Sequence, residues 1–233
     1  LILMKLDNDD LYLIDPLTQV IVWKSESQNI PLRTKGSSIP LIIDNDVFIA
    51  RDNGSISAYD KTTGMLKWLT IISSRSGRND LESQRDAEMR ILAGNDRLYY
   101  GHYQGSIASL DRSTGNRIWS SPFSFINNIV LHKSSIYGST TENILVSLDE
   151  ASGFLNWKKE INQQITEPFI VRNLIMLFSA EGTLFGYDSE TGVEVYKKDY
   201  GYDLSPKTQF IVEKNNIFFQ TRDGESILLQ VNL

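Results

Sequence analysis

A turn that lies between an acidic residue and an aromatic residue recurs five times along this chain. In the second copy, Asp60 is followed by Lys-Thr-Thr, then by Gly64 and, four residues later, by Trp68. The five copies end on aromatic residues spaced 38 to 51 positions apart: Trp23, Trp68, Trp119, Trp157 and Tyr196. Self-similarity at a period of about 40 residues is the sequence signature of propellers and solenoids. The repeat therefore restricts the fold to an architecture built from equal units.

Each unit can be divided into four short segments in which apolar and polar residues alternate. An alternation with a period of two is typical of β-strands. In the second unit these segments are 39–44, 46–50, 55–59 and 65–70, and turn residues such as Asn53-Gly54 separate them. No helical stripe of useful length occurs. The pattern therefore predicts an all-β chain, a β-propeller of four-stranded antiparallel blades.

We expect a single propeller domain over residues 1–233, made of six units. The units span about 1–28, 38–71, 87–122, 126–160, 165–200 and 206–233, and two long loops lie at 24–38 and 72–88. The first unit begins at its second strand and the last ends at its third, which gives about 22 strands. Because propellers close by pairing their terminal strands, we expect the C-terminal part of a larger ring. A smaller ring closed in an unusual register is the alternative.

Composition narrows the classes of partner. A formal charge of -6 and a pI near 5.0 argue against nucleic-acid binding, which needs clustered Lys and Arg. The chain has no Cys, so disulfides and thiolate metal sites are excluded. The opening LILMKLDNDD lacks the basic start and cleavage site of a signal peptide. The protein is then either cytoplasmic or directed elsewhere by a targeting segment that lies upstream of Leu1.

The recurring Asp and aromatic residues are expected to be structural. The Asp at each strand end accepts hydrogen bonds from the backbone of its own turn, although Asp and Asn clusters such as 7–10 also suit calcium. The terminal aromatic residues have a fixed place in each unit, so we expect them to pack one blade against the next. Their N–H groups would then reach a neighbouring backbone carbonyl.

Catalysis has little support in the sequence. The only histidines are His102 and His132, and neither stands in a metal-binding spacing. No nucleophile elbow, phosphate loop or paired-carboxylate motif occurs in a suitable context. We therefore predict no catalytic residue, no metal ligand and no cofactor.

The two long loops are the candidate functional segments. The first contains Ile30, Leu32 and Arg33, and the second contains Asp86 and Glu88. Both loops follow the outer strand of consecutive blades, so we expect them to emerge side by side. Apolar and Arg anchors dominate interface energetics, which makes this rim a candidate protein-binding patch. The alternative is a solvated rim with an internal Arg–carboxylate pair.

The units resemble the PQQ-like repeat, in which a strand ends in Asp and is followed by Thr-Gly and then by Trp. Asp60, Thr63, Gly64 and Trp68 match this pattern in full, whereas Gln19 replaces Gly, Tyr196 replaces Trp, and the fourth unit lacks one Gly. Within the repeat proteins, the whole chain is most similar to the BamB-like family. The similarity includes Leu-Arg before a Ser-x-Pro strand start (32–40), the second long loop, and the ending TRDGESILLQV.

This resemblance implies an eight-bladed scaffold without enzymatic activity, held at the periplasmic face of the outer membrane by an N-terminal lipid anchor. The family implies docking to a POTRA domain of a BamA-like insertase, and unfolded outer-membrane protein precursors are a second candidate partner. The family's docking residues correspond to Ile30, Leu32, Arg33, Asp86 and Glu88, with Ile in place of one Leu and Glu in place of one Asp. Two alternatives remain: a quinone (PQQ)-dependent dehydrogenase propeller with calcium, and the sensor domain of a membrane kinase.

Overall fold

The computed structural model of the chain describes residues 1–6, 10–26, 39–51, 55–72, 91–101, 106–125 and 128–232. All regular structure in these residues is β, in 22 strands that form six antiparallel sheets. We call the sheets blades 1 to 6 in chain order. The all-β prediction is confirmed. The chain separates into two compact units, Leu1–Ser124 and Phe125–Leu233, and a single domain within a larger ring stays a prediction.

The first unit contains blades 1 to 3. Blade 1 has three strands and blades 2 and 3 have four, each strand pairing with its neighbour in the sequence. The strands of blade 1 are β1 (Ile2–Lys5), β2 (Leu11–Asp15) and β3 (Val20–Ser25). Those of blade 2 are β4 (Leu41–Ile43), β5 (Asp46–Ala50), β6 (Ser55–Asp60) and β7 (Leu66–Ile71). Those of blade 3 are β8 (Leu92–Ala93), β9 (Arg97–Gly101), β10 (Ile107–Asp111) and β11 (Arg117–Ser121).

The second unit contains blades 4 to 6, and it repeats the same meander. The strands of blade 4 are β12 (Val130–His132), β13 (Ser135–Ser139), β14 (Ile144–Asp149) and β15 (Leu155–Glu160). Those of blade 5 are β16 (Phe169–Val171), β17 (Leu174–Phe178), β18 (Thr183–Asp188) and β19 (Glu194–Asp199). Those of blade 6 are β20 (Ile211–Glu213), β21 (Asn216–Gln220) and β22 (Ser226–Gln230).

The turn before each outer strand is built as the sequence predicted. In blade 2, one carboxylate oxygen of Asp60 accepts hydrogen bonds from the backbone N–H groups of Thr62 at 2.9 Å and Thr63 at 2.8 Å. Gly64 follows with a φ of 70°, in the left-handed region that glycine adopts without strain. The third and fifth blades repeat the capping, with Asp111 and Asp188 as acceptors. The predicted structural role of the repeated Asp is confirmed.

The first hairpin of blade 2 shows where the strand prediction was too long. The segment 39–44 was predicted as a strand, but β4 covers only Leu41–Ile43. Asp44 has a φ of 53°, which takes the backbone out of the strand and into the turn. The remaining three strands of this blade match their predicted positions to within one or two residues.

Apolar residues from consecutive blades form the core between the sheets. Leu11 and Leu13 of blade 1 share a buried cluster with Val47 and Ile49 of blade 2. In the second unit, two further clusters join blade 4 to blade 5 and blade 5 to blade 6. The middle strands are therefore buried on both faces, which is why they read as nearly continuous apolar runs.

Candidate partner-binding site

The five predicted partner-binding residues, Ile30, Leu32, Arg33, Asp86 and Glu88, lie outside the described residues, as does His102. The structure does describe the strands from which their loops leave and to which they return. The first loop runs from the end of β3 in blade 1 to the start of β4 in blade 2. The second runs from the end of β7 in blade 2 to the start of β8 in blade 3. The first loop therefore ends at blade 2, and the second loop starts from it.

The base of the first loop lies at the joint between blades 1 and 2. The indole Nε1–H of Trp23 donates to the backbone carbonyl of Lys61, with a separation of 2.9 Å. The ring lies so close to Gly64 that a Cβ there would stand 2.6 Å from Trp23 Cδ2. Beyond the indole, Glu26 accepts a hydrogen bond from Lys24 at 2.7 Å, and this bond raises the pKa of the Lys24 ammonium. The strand is thus bound to blade 2 just before the loop begins.

The base of the second loop lies at the joint between blades 2 and 3. The indole Nε1–H of Trp68 donates to the carbonyl of Arg112 at 3.2 Å, and the Thr70 hydroxyl donates to the carbonyl of Gly115 at 2.6 Å. The residues that flank the undescribed part of the loop, Ile72 and Ile91, are only 7% and 5% exposed. Both ends of the second loop are therefore anchored in the apolar core.

Charged groups add a second set of contacts around blade 2. A guanidinium nitrogen of Arg112 in blade 3 lies 3.5 Å from a carboxylate oxygen of Asp44 in blade 2. Lys67 pairs with Asp46 and lies 3.9 Å from Asp60. The pKa of Asp60 is lowered, first by the backbone N–H of Thr63 and more weakly by the Lys67 charge. These pairs are exposed, so each contributes little to stability. The Arg112–Asp44 pair joins blade 3 to blade 2, whereas the Lys67 pairs lie within blade 2.

The remaining repeat aromatics occupy comparable positions. Trp119 is 9% exposed and lies 6.0 Å from the ring of Tyr99 in its own blade. Trp157 of blade 4 donates from Nε1 to the carbonyl of Ser189 in blade 5 at 3.1 Å. Tyr196 lacks an indole nitrogen, and its hydroxyl instead lies 3.0 Å from that of Tyr200. Indole donors thus join the next blade at three joints, and in blade 5 the tyrosine packs beside the cluster shared with blade 6.

The described part of the chain shows no candidate metal site. Within its residues, no group of three or more His, Asp or Glu side chains is placed to hold a metal ion. His132 lies at the end of β12, and its buried Nε2 has no hydrogen-bond partner among these residues. In the same part of the chain, no helix has the length and apolarity needed to cross a membrane.

One cleft was not anticipated from the sequence. It has a volume of about 620 Å³ and lies in the second unit between blades 4 and 5. Phe185 and Tyr187 line it, and the Lys197 ammonium stands 5.2 Å above the Phe185 ring. Burial, helped by Glu194, raises the pKa of Tyr187 to about 12. The sequence signal of the cleft is an aromatic-Lys-Lys-acid run, which occurs at 157–160 and again at 196–199. This run extends the two outer strands beyond the repeat aromatic.

Comparison with known sequences gives one consistent result. The sequence model of the family described as "Outer membrane protein assembly factor BamB" matches residues 1–159 and 139–232. The BamB of Legionella pneumophila is 28% identical over 82% of this chain and 50% of its own length. The BamB of Shewanella oneidensis is 26% identical over 93% of this chain and 54% of its own length. The chain thus spans about half the length of the curated relatives it matches.

Solved structures agree on the fold. The crystal structure of BamB from Moraxella catarrhalis superimposes with a TM-score of 0.83 at 21% identity, covering 98% of this chain and 69% of that one. A quinohemoprotein alcohol dehydrogenase from Comamonas testosteroni has a TM-score of 0.67 at 13% identity, covering 94% of this chain and 49% of that one. At these identities the likeness concerns the propeller fold alone. Because the family match covers both units, the chain belongs to the family of the outer membrane protein assembly factor BamB.

Proposed function

We propose that this chain is a scaffold without enzymatic activity in the assembly of outer-membrane proteins, acting at the periplasmic face of the outer membrane. Its partner would be a POTRA domain of a BamA-like insertase, bound through the loops at 24–38 and 72–88. The family match supports the assembly role. The observation that supports these two loops as the docking site is that both connect to blade 2, which hydrogen bonds join to blade 1 and to blade 3.

The loop residues have distinct roles in this proposal. Ile30 and Leu32 are apolar anchors that bury side-chain surface against the partner, and Arg33 is the charged anchor. Arg is enriched at energetic hot spots because its guanidinium combines apolar stacking with several donors. Asp86 and Glu88 orient Arg33 or accept hydrogen bonds from the partner.

The test is binding of the cognate POTRA fragment to the Arg33→Glu variant. Reversal of a central interface charge typically costs more than about 2 kcal/mol, so we expect the affinity to fall by at least about thirtyfold. Arg75→Glu makes the same charge change in the second loop, outside the docking set, and serves as the matched control. Unchanged binding by a folded Arg33→Glu protein would refute the assignment.

Added quinone and calcium distinguish the dehydrogenase alternative. A spectral change on mixing with PQQ, together with dye reduction in the presence of an alcohol, would favour an enzyme. The likeness to quinohemoprotein dehydrogenases is a likeness of fold at 13% identity, and no described residue set supplies a metal site. We expect neither signal.

A further inference from the structure

The cleft between blades 4 and 5 lies within the second unit, and all of its lining residues are described. Blade 4 supplies Glu160 at the end of β15 and the start of the connection that follows it. Blade 5 supplies Phe185 and Tyr187 from β18 and a row of charged residues from β19. The volume of about 620 Å³ falls within the roughly 300–1,000 Å³ that is usual for small-molecule sites.

The floor of the cleft is flat and aromatic. The rings of Phe185 and Tyr187 lie within 15° of parallel, with centroids 6.4 Å apart. The Lys197 ammonium stands 5.2 Å from the Phe185 centroid, and a cation takes this position over the face of a ring. The Phe185 face is therefore turned toward the rim. Phe185 is 5% exposed with the ammonium in this position, so a ligand that draws the ammonium aside also gains the ring face.

An aromatic residue paired with Lys across the last two strands of a blade occurs in blades 1 and 5. Tyr12 pairs with Lys24 in blade 1, and Phe185 pairs with Lys197 in blade 5. The corresponding pairs of blades 2, 3 and 4 have no aromatic member and are Ser57–Leu69, Ala108–Ser120 and Val146–Lys158. In blade 1, Glu26 binds the Lys24 ammonium at 2.7 Å. The Lys197 ammonium makes no such ion pair with any residue that the structure describes, so its donors face the cleft.

The carboxylates of the rim combine with this cation to set the charge of a ligand. Glu160 is paired with a lysine of its own strand at 3.4 Å, and Asp199 accepts a backbone N–H at 3.0 Å. Glu194 accepts a hydrogen bond from the Tyr187 hydroxyl. An ionised carboxylate has about four acceptor positions, so each of the three can accept a further donor. Three carboxylates beside Lys197 also disfavour an anionic ligand.

A ligand that matches this lining has no net charge, carries donors and acceptors side by side, and has a flat apolar face. Sugars have these properties, because each hydroxyl both donates and accepts and one face of the ring presents C–H groups. An extended peptide offers similar polar groups, but its side chains need separate pockets, and this floor is flat. We propose that the cleft binds a short neutral oligosaccharide, with Lys197, Glu194 and Asp199 holding its hydroxyls over Phe185. This site is independent of the docking loops, which connect the blades of the first unit.

The test uses chitotriose, cellotriose and maltotriose as neutral probes, each titrated into the whole chain and followed by saturation-transfer difference NMR. Hydrogen bonds to a charged group account for about tenfold or more in affinity. We therefore expect Lys197→Ala to weaken the binding of the recognised probe at least about tenfold. Asn162→Trp places a large ring at an exposed position of the rim and should abolish saturable binding. Circular dichroism confirms that both variants are folded.

Lys24→Ala is the matched control, because it removes the ammonium of the other aromatic–Lys pair, in blade 1. This variant should bind the probe as the wild type does. Equal losses in Lys24→Ala and Lys197→Ala, or wild-type affinity in Asn162→Trp, would overturn the proposal. So would the absence of saturable binding of all three probes by the wild type at about 10 mM.

An unstructured peptide of Ser, Thr and Gln distinguishes the peptide alternative. We expect it to leave the signal of the bound sugar unchanged. Displacement of the sugar by this peptide, together with tighter binding of the peptide that is lost in Lys197→Ala, would assign the cleft to peptides and refute the oligosaccharide. None of these measurements contains the POTRA fragment, so their outcome does not depend on the proposed docking.

Discussion

The contact between a repeat tryptophan and the turn glycine of the next blade allows a quantitative prediction of the stability of glycine variants. Gly192 has a φ of 66°, and a Cβ at this position would stand 2.6 Å from Cδ2 and 2.9 Å from Cε3 of Trp157. Gly201, in the same unit, has a φ of 69° and no heavy atom within 4 Å of its Cβ position. Alanine at the two positions therefore adopts the same backbone conformation but meets different surroundings.

The expected losses in the free energy of unfolding follow from this difference in surroundings. Both substitutions place an L-residue in the left-handed region, which costs about 1–2 kcal/mol. Both also reduce the entropy of the unfolded chain, which returns about 0.4–1 kcal/mol. Only Gly192→Ala must displace the Trp157 ring, and overpacking of this kind costs about 1–3 kcal/mol. We expect Gly201→Ala to lower the free energy of unfolding by about 1 kcal/mol and Gly192→Ala by about 2–4 kcal/mol.

Urea unfolding followed by circular dichroism measures the two variants. The free energy of unfolding falls by about 1–3 kcal/mol per molar urea. The additional loss of stability in Gly192→Ala should therefore place its urea midpoint about 1 M below that of Gly201→Ala. In a double-mutant cycle, Gly192→Ala should cost less in the Trp157→Ala background than in the wild type, because the clashing ring is gone. Midpoints that coincide for the two single variants would show that the indole does not require glycine.

Two further predictions concern the same turns. Gln19 takes the glycine position in blade 1 with a φ of 57°, so Gln19→Gly should raise the free energy of unfolding by about 0.5–1 kcal/mol; a lower urea midpoint would contradict this. Asp111 has its pKa lowered to about 2 from 3.8, chiefly by the hydroxyl of Ser113. Its carboxylate therefore contributes stability that is present above the unfolded pKa and is lost as pH falls from about 4 to about 2. Asp111→Asn should flatten the pH dependence of the thermal midpoint in that window, and an unchanged slope would show that other carboxylates dominate.

The secondary structure could be predicted because its signals are local. Alternating residues fix the strand faces, and the Asp-Thr-Gly run fixes the turn through bonds that span only three residues. Asp44 marks the limit of this reasoning: Asp44-Asn45 is a pair of turn residues, but their local signal did not show that the turn begins at Asp44 and shortens β4. A turn residue of this kind is selected by the register of the hairpin, which is a property of two strands rather than one.

The candidate site, too, was predicted from the sequence only in part. The loops at 24–38 and 72–88 were identified from length and composition, and their docking residues by resemblance; those residues stay predictions. The cleft beside Phe185 and Tyr187 was missed, because Lys197 becomes a neighbour of the Phe185 ring only when β18 and β19 pair. The hydrogen bond of the Thr70 hydroxyl was missed for a similar reason, since its acceptor, the carbonyl of Gly115, lies 45 residues away in the next blade.

The sequence by itself determined the repeat unit, the strands within it and the family to which the chain is similar, because these depend on residues that are close in the chain. Only the tertiary structure decided which carbonyl each indole reaches, why glycine must stand opposite Trp23, Trp68 and Trp157, and which side chains tie the second loop to the joint between blades 2 and 3. Those contacts join residues about 30 to 45 positions apart, and they exist only once consecutive sheets have packed face to face.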